Sequence, residues 1–324
     1  MKAIRVTQNG DPSVLQLQEI PQPTAGPGEA LVCVHAAGVN YADVYFRNGS
    51  ARIPIPFPFT LGIEGSGTVE AVGDGVSEVK VGDRVAYATM GVGSYAEYQV
   101  VKAAVLAPLP KEVSFDDGAA AILQGLTAHY LLFEFYPIKR GSTVLVHAAA
   151  GGVGLLLVQW LKHLGAVAIG TVSTEEKAKV AREAGADHVI VYTKQDFAEE
   201  AKKITNGKGV DYIIDGVGKT TFTKNLDAVR NRGWATVFGM ASGPADPLSP
   251  NALMTKSITI SGGALFNYIV TREELLGRAN DLFRAIREGW LKLRIDHAFP
   301  LAQAAEAHRL LEGRKTMGKL ILAV

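Results

Sequence analysis

A glycine-rich turn is the segment whose residue types and spacing point most clearly to a chemistry. Residues 147–154 read HAAAGGVG and lie between an apolar, strand-like segment and a helical pattern. Gly151 would let the backbone approach a pyrophosphate, Gly154 would let the helix pack on the strand, and the helix N-terminus would supply amides with partial positive charge. The turn therefore predicts a dinucleotide site formed by Ala150, Gly151, Gly152, Val153 and Gly154.

The end of the next predicted strand bears on the choice between NADH and NADPH. A site specific for NADH places an acidic residue there to bind the ribose hydroxyls, but this chain has Val172 and Ser173. Ser173 can donate a hydrogen bond to a 2′-phosphate, and Lys177, one helical turn further on, can pair with its charge. We therefore predict NADPH as the cofactor. Ser173 could also be the N-cap of a capping box with Glu176, and one serine can serve both purposes.

The pattern around the turn repeats as strand and then helix from about residue 125. Strands are predicted at 143–147, 167–172, 188–191, 212–215, 234–238 and 258–260, with helices at 153–164, 175–184, 197–206 and 220–229. Such alternation is typical of a doubly wound parallel sheet. We therefore predict an α/β fold with a Rossmann domain over residues 125–265.

Residues 1–124 have a different organisation. Short strand-like segments at 2–7, 29–37, 65–72, 84–87 and 94–101 are separated by glycine and proline, which indicates a mainly antiparallel, barrel-like unit. After the Rossmann domain, a long amphipathic segment at 272–289 leads to a strand at 293–299, a helix at 302–311 and a strand at 319–324. We predict that residues 266–324 return to complete the domain formed by 1–124.

Composition restricts the partners. The 324 residues contain 33 Lys and Arg against 32 Asp and Glu, so the overall charge does not favour nucleic acid or an anionic membrane. Cys33 is the single cysteine, which excludes an intramolecular disulfide and a multi-cysteine zinc site. The N-terminal sequence has no signal-peptide pattern, and the longest apolar helical run, 153–161, is too short to span a bilayer. We expect a cytoplasmic protein without a membrane partner.

Four motifs carry a family resemblance that covers essentially the whole chain. They are residues 36–45 (AAGVNYADVY), 124–128 (QGLTA), the turn at 147–154, and Phe238-Gly239. Together they resemble the zinc-free quinone oxidoreductases related to zeta-crystallin, within the medium-chain dehydrogenase/reductase superfamily. The resemblance implies a GroES-like catalytic domain beside the Rossmann domain, a homodimer, and the reduction of quinones by NADPH in the cleft between the domains.

The resemblance also implies residue roles. Asn40, Asp43, Tyr45 and Thr127 would surround the nicotinamide as catalytic residues, and Lys177, Tyr192 and Arg314 would lie towards the adenosine phosphate. Further cofactor contacts would come from Tyr41, Gln124, Thr127, Val217, Phe238, Gly239 and Phe266. Relatives often carry a second tyrosine near the glycine that follows Tyr45, and the segment after Gly49 has none.

The positions of the zinc ligands are also informative. Zinc-dependent relatives have a cysteine where this chain has Asn40, and a His-Glu pair where it has Ile63-Glu64. Neither Asn40 nor Ile63 is a zinc ligand of the usual type, so no metal is predicted. Glu64 is expected to remain as a structural carboxylate, and Tyr45 and Asn40 would polarise the acceptor by hydrogen bonding.

Two other functions remain open at this point. An enoyl or alkenal double-bond reductase would use the same fold and the same nicotinamide. A non-catalytic RNA-binding or crystallin-like role would need a different surface, and the chain has no basic stripe with interleaved aromatics. For the homodimer, the strand-like segment 257–263 is the predicted contact at a sheet edge; an interior strand of a monomer is the alternative.

Overall fold

The computed structural model describes residues 1–51 and 53–324. The chain divides into two compact units. The first unit comprises Met1–Leu126, Tyr268–Gly289 and Leu293–Val324, and the second comprises Thr127–Asn267 with Trp290–Lys292. Among the described residues, no helix has the length and apolar character needed to cross a membrane.

The second unit contains a parallel sheet. Its strands are β9 (Thr143–Val146), β10 (Val167–Val172), β11 (His188–Val191), β12 (Val210–Asp215), β13 (Val229–Val237) and β14 (Thr259–Gly262). Helices α3 (Gly152–His163), α4 (Glu175–Glu183), α5 (Phe197–Ile204) and α6 (Phe222–Ala228) lie between successive strands in the sequence. The strand order is β11-β10-β9-β12-β13-β14. This is the dinucleotide-binding order, so the predicted Rossmann domain is confirmed.

The central strands of this sheet are apolar because both of its faces are covered. Leu145, Ile169, Ile213 and Ala235, one from each of four strands, are completely buried in one hydrophobic cluster. Parallel sheets covered on both faces are typically built from such continuous apolar strands. The apolar strands therefore form the core of the second unit, and the candidate functional residues lie where these strands end.

The first unit is mainly antiparallel, as predicted. Its early strands are β1 (Lys2–Val6), β2 (Gln16–Glu19), β3 (Glu29–Val39), β4 (Phe59–Thr60), β5 (Glu64–Val72), β6 (Arg84–Ala88), β7 (Tyr98–Lys102) and β8 (Ala107–Pro108); β15 (Ile295–Pro300) and β16 (Lys319–Ala323) come from the end of the chain. The larger sheet has the order β15-β16-β3-β5-β6-β8, and β7 also pairs with β3. Strand β16 pairs antiparallel with β3, so the C-terminal segment is part of this sheet.

Four further helices are α1 (Tyr41–Asn48), α2 (Phe115–Phe133), α7 (Arg272–Arg287) and α8 (Ala304–Glu312). The last two were predicted, whereas α1 and α2 were missed, because no element was predicted at either place. Helix α1 is short and rich in aromatic and β-branched residues, which favour strands in isolation. Much of α2 is buried around its circumference, so it lacks the polar stripe that marks a surface helix.

Candidate active site

The glycine-rich turn has the geometry that an anion requires. Gly151 is the N-cap of α3 and contributes no capping side chain, and the first turn of the helix carries no acidic residue. A Cβ on Gly154 would lie 2.3 Å from the carbonyl oxygen of Ala148, so glycine is needed for this close packing. The uncapped amides and the positive end of the helix fit the pyrophosphate of a dinucleotide.

A buried polar network supports this turn from below. The side chain of Asn225 donates to a carboxylate oxygen of Asp215 at 2.6 Å, so its own oxygen accepts from Nε2 of His147 at 2.8 Å. Nδ1 of His147 then accepts from the hydroxyl of Thr171, also at 2.8 Å. Burial lowers the pKa of His147, which keeps the ring neutral. The network therefore joins three strands beneath the turn.

Asp215 also shapes the loop that follows β12. One carboxylate oxygen accepts the backbone N–H groups of Val217 at 2.7 Å and Gly218 at 3.1 Å, and the other accepts the hydroxyl of Thr221 at 2.7 Å. Asp215 is completely buried. The side chain thus fixes the backbone at Val217, one of the predicted cofactor contacts.

Other predicted cofactor contacts lie in the loops that follow the strands. Gly239 follows β13, and a Cβ there would be 2.7 Å from the carbonyl oxygen of Gly216. A Cβ on Gly216 would in turn be 2.7 Å from the ring of Phe238. Phe266 lies in the short 3₁₀ turn Leu265–Asn267 that follows β14. The two glycines are required for the close approach of these loops.

The predicted 2′-phosphate residues lie at the carboxyl ends of β10 and β11. Ser173 follows β10, Lys177 is in the first turn of α4, and Tyr192 follows β11 with 45% of its surface exposed. The alternative role for Ser173 as N-cap was wrong, because Thr174 is the N-cap and accepts the N–H of Lys177 at 3.2 Å. The cap is shifted by one residue because the helix begins at Glu175. The hydroxyl of Ser173 is therefore not needed for capping.

Asn40 connects several polar side chains of the first unit through hydrogen bonds. It is 5% exposed and precedes α1. Its Nδ2 donates to Oε2 of Glu64 at 2.8 Å, and its Oδ1 accepts from Nε2 of Gln124 at 3.3 Å and from Nζ of Lys319 at 2.7 Å. Asn40 and Gln124 were predicted, whereas Lys319 was missed. A lysine at the start of an apolar strand was the one available signal.

Asp43 lies directly behind Asn40. It is completely buried, and its Oδ2 accepts the backbone N–H of Asn40 at 2.8 Å and the hydroxyl of Tyr95 at 3.2 Å. Its Oδ1 has no hydrogen-bond partner within the described part of the chain. Burial raises the pKa of Asp43 to about 7, although the Asn40 amide and the charge of Lys319 oppose the shift.

A second part of this network leads away from Asp43. The guanidinium of Arg47 donates to Nδ1 of His308 at 2.9 Å, so Nε2 of His308 donates to the hydroxyl of Tyr95 at 3.2 Å. Burial, with the charge of Arg47, lowers the pKa of His308 to about 3. Arg47 also forms a pair with Glu312 at 2.8 Å. These contacts hold α1 against α8. The composition of the sequence gave no indication of them.

The remaining predicted residues are distributed between the two units. Tyr41 and Tyr45 are half-buried on α1, and the hydroxyl of Tyr41 donates to the carbonyl of Leu311 at 3.1 Å. Burial raises the pKa of Tyr41, and the neighbouring charge of Arg314 opposes this shift. Thr127, 6% exposed on α2, belongs to the second unit.

Among residues 1–51 and 53–324, no group of three His, Cys, Asp or Glu side chains could hold a metal ion. Beside Glu64 lies the ammonium of Lys319, with Nζ 2.5 Å from Oε2. The predicted lack of a metal stays a prediction.

Comparison with known proteins agrees with this architecture. A zinc-binding dehydrogenase domain matches residues 152–281, and an alcohol dehydrogenase GroES-like domain matches residues 26–111. The quinone oxidoreductase of Pseudomonas aeruginosa is 42% identical, with 99% of each chain covered. The 2-haloacrylate reductase of a Burkholderia species is 40% identical, with 98% of this chain and 97% of the relative covered. The structure of Escherichia coli quinone oxidoreductase complexed with NADPH is similar with a TM-score of 0.97, 40% identity and complete coverage of both chains.

A GroES-like unit joined to a Rossmann unit defines a medium-chain dehydrogenase/reductase. Within that class, the identity and coverage shared with the Pseudomonas and Escherichia coli proteins are decisive. The chain belongs to the quinone oxidoreductase family. The sequence-based recognition of this family is confirmed.

Proposed function

We propose that this protein reduces quinones with NADPH. The observation that carries the proposal is the full-length similarity to quinone oxidoreductases, which includes a structure complexed with NADPH. When bound, NADPH would supply the hydride. The protein would orient the two reactants, exclude water and donate hydrogen bonds to the acceptor.

We assign the pyrophosphate to the amides of Gly152, Val153 and Gly154, because α3 begins at an uncapped glycine. Ser173, Lys177 and Tyr192 would bind the 2′-phosphate, and the remaining predicted contacts would hold the rest of the dinucleotide. These are Tyr41, Gln124, Thr127, Val217, Phe238, Gly239, Phe266 and Arg314.

For the chemical step, we assign Asn40 and Tyr45 as hydrogen-bond donors to the carbonyl oxygen of the acceptor, with Thr127 beside the nicotinamide. A donor aimed at the oxygen that gains charge stabilises the transition state. Asp43 is completely buried, so we assign it to positioning Asn40 rather than to contact with a substrate.

Steady-state assays with a naphthoquinone and a short alkenal test the proposal. Quinone turnover with NADPH is expected to have the higher kcat/KM. The similarity to 2-haloacrylate reductase favours carbon–carbon double-bond reduction as the second candidate. Faster turnover of the alkenal would replace the first function with the second. Dialysis against a chelator is expected to leave the turnover unchanged; activity lost and then restored by zinc would contradict the metal-free assignment.

The cofactor assignment has its own test. Lys177→Glu is expected to weaken NADPH binding by about 1–3 kcal/mol with little effect on NADH, because one charge-assisted contact is lost and repulsion is added. Lys179→Glu is the matched control on the same helix, where the side chain is 78% exposed. Equal losses for the two cofactors in the Lys177 variant would show that Lys177 does not contact the 2′-phosphate.

For the assembly, we propose a homodimer that pairs through β14. This strand ends the order of the parallel sheet among the described residues, and paired edges across a two-fold axis satisfy both copies. Thr259→Lys adds a charge at an exposed position of β14 and is expected to give a folded monomer by light scattering. A wild-type monomer at micromolar concentration would contradict the dimer. The cytoplasmic location stays a prediction.

A further inference from the structure

A lysine is buried in the first unit beside the candidate active site. Lys319, the first residue of β16, is 3% exposed, and its Nζ lies 2.5 Å from Oε2 of Glu64 and 2.7 Å from Oδ1 of Asn40. Lysine is rarely buried to this extent, because a buried ammonium must recover its lost hydration through pairing and hydrogen bonds. Glu64, which is completely buried, supplies that pairing.

The local backbone is built to admit the carboxylate. Gly38 has no side chain, and a Cβ there would lie 2.1 Å from Oε2 of Glu64. The other oxygen of Glu64 accepts the backbone N–H of Leu123 at 2.6 Å. One oxygen of Glu64 therefore packs against Gly38, and the other accepts a hydrogen bond from Leu123. These two contacts fix the orientation of the carboxylate towards Asn40.

These contacts determine the orientation of the Asn40 side chain. Oδ1 accepts from Lys319 and from Gln124, and Nδ2 donates to Glu64. The reverse orientation would place the NH₂ group against an ammonium and the oxygen against a carboxylate, so it is excluded electrostatically. Nδ2 carries two hydrogens and uses one for Glu64. In the proposed function, the second hydrogen is the one that Asn40 donates to the acceptor.

We propose that Lys319 is a positioning residue, which together with Glu64 fixes the amide of Asn40 so that it presents an N–H group to the carbonyl oxygen of the substrate. The inference rests on the proposed function, in which Asn40 is the donor. The competing explanation is that Lys319 neutralises Glu64 and contributes to folding without affecting Asn40. The two explanations differ in whether the effects of Lys319 and Asn40 are independent.

A double-mutant cycle tests the proposal. Lys319→Met alone would leave Glu64 buried and unpaired, so the perturbation is the pair Glu64→Gln with Lys319→Met, which removes both charges. It is made in the wild-type protein and in Asn40→Ala. The readouts are kcat, the KM for NADPH, and NADPH binding in the absence of acceptor. Lys256→Met is the matched control, since Lys256 donates to three backbone carbonyls of the second unit.

If Lys319 acts through Asn40, the paired substitution lowers kcat by about 10- to 100-fold, at or below the scale of removing one such donor, and changes NADPH binding by less than about threefold. In the Asn40→Ala background the same substitution causes no additional loss. Lys256→Met leaves kcat unchanged. An unchanged kcat in the paired variant, or an equal fold loss in both backgrounds, would overturn the proposal.

The cycle also separates this inference from the proposed function. If the wild-type protein reduces the alkenal but not the quinone, the proposed function fails. The cycle is then measured with the alkenal, whose carbonyl oxygen also requires a donor. A non-additive result with that acceptor still supports the role of Lys319, and an additive result overturns it.

Discussion

Both units bury an aspartate that is linked to a histidine through one intervening side chain, but the two aspartates accept different numbers of hydrogen bonds. Asp215 in the second unit receives hydrogen bonds on both carboxylate oxygens, from two backbone amides and two side chains. Asp43 in the first unit receives two on one oxygen, and its other oxygen has no partner in the described chain. Burial is complete in both cases.

The comparison shows that two equally buried aspartates can have different roles when they accept different numbers of hydrogen bonds. Four donors replace the hydration that Asp215 loses, so it can act as a permanent anchor beneath the cofactor loops. Asp43 lacks this compensation, and its raised pKa of about 7 allows its charge to change near neutral pH. One network fixes a backbone, while the other places a titratable group behind Asn40.

The largest expected effect comes from removing the anchor. Asp215→Ala leaves two amides, a hydroxyl and the amide of Asn225 without their acceptor, and is expected to lower the free energy of unfolding by about 3–5 kcal/mol. Asp43→Ala leaves two donors without an acceptor, which destabilises the protein. It also removes a buried carboxyl group with one unpartnered oxygen, which offsets part of that cost, so a loss of about 1–2 kcal/mol is expected. Urea denaturation measures the free energy of unfolding of both variants. Equal losses would contradict the proposed difference between the two aspartates.

A smaller effect is expected from the titration of Asp43. Because burial raises its pKa from 3.8 to about 7, the folded state prefers the protonated acid. The associated stability is fully present below the ordinary pKa, declines as pH rises towards 7, and is lost above it. Relative to Asp43→Asn, the wild-type protein should therefore lose about 2–3 kcal/mol of stability between about pH 5 and pH 8.

Urea denaturation of both proteins at several pH values checks this prediction. Asp215→Asn provides the reference substitution in the second unit, measured over the same range. A stability difference between wild type and Asp43→Asn that is independent of pH would show that Asp43 does not titrate in this window.

The smallest expected effect involves two completely buried tyrosines. Tyr95→Phe removes a donor to Asp43, so its cost should be about 1 kcal/mol at low pH and should increase as Asp43 becomes charged. Tyr212→Phe removes the hydroxyl that contacts the carbonyl of Leu131 and the hydroxyl of Thr236, neither of which titrates, so its cost of about 1 kcal/mol should not vary with pH. Thermal unfolding at two pH values distinguishes the variants, and parallel pH profiles would contradict the account.

The sequence predicted the second unit better than the first for a physical reason. Alternating strands and helices with a glycine-rich turn are local patterns, and β10 and β11 begin and end where the sequence predicted. Helix α1 has no such local pattern. It has only eight residues, and it is stabilised by Gly49 at its C-terminus and by buried tertiary contacts. Local propensity therefore failed where packing decides.

The residues of the candidate site show the same contrast between local motifs, which the sequence reveals, and tertiary contacts, which it does not. Asn40 and Gln124 were found because they lie in the sequence motifs that carry the family resemblance, residues 36–45 and 124–128. Lys319 is 279 residues from Asn40 and 255 from Glu64, and its partners are brought together by the pairing of β16 with β3. Such contacts depend on tertiary structure that one sequence does not reveal.

The central claim is that NADPH bound to this protein reduces a quinone, and a single-turnover experiment tests it most directly. Protein loaded with one equivalent of NADPH is mixed without oxygen with a naphthoquinone or with a short alkenal, and the near-ultraviolet absorbance of the reduced nicotinamide is followed. We predict complete loss of this absorbance with the quinone, at a rate above that of the alkenal and of free NADPH. Retention of the absorbance with the quinone would contradict the account.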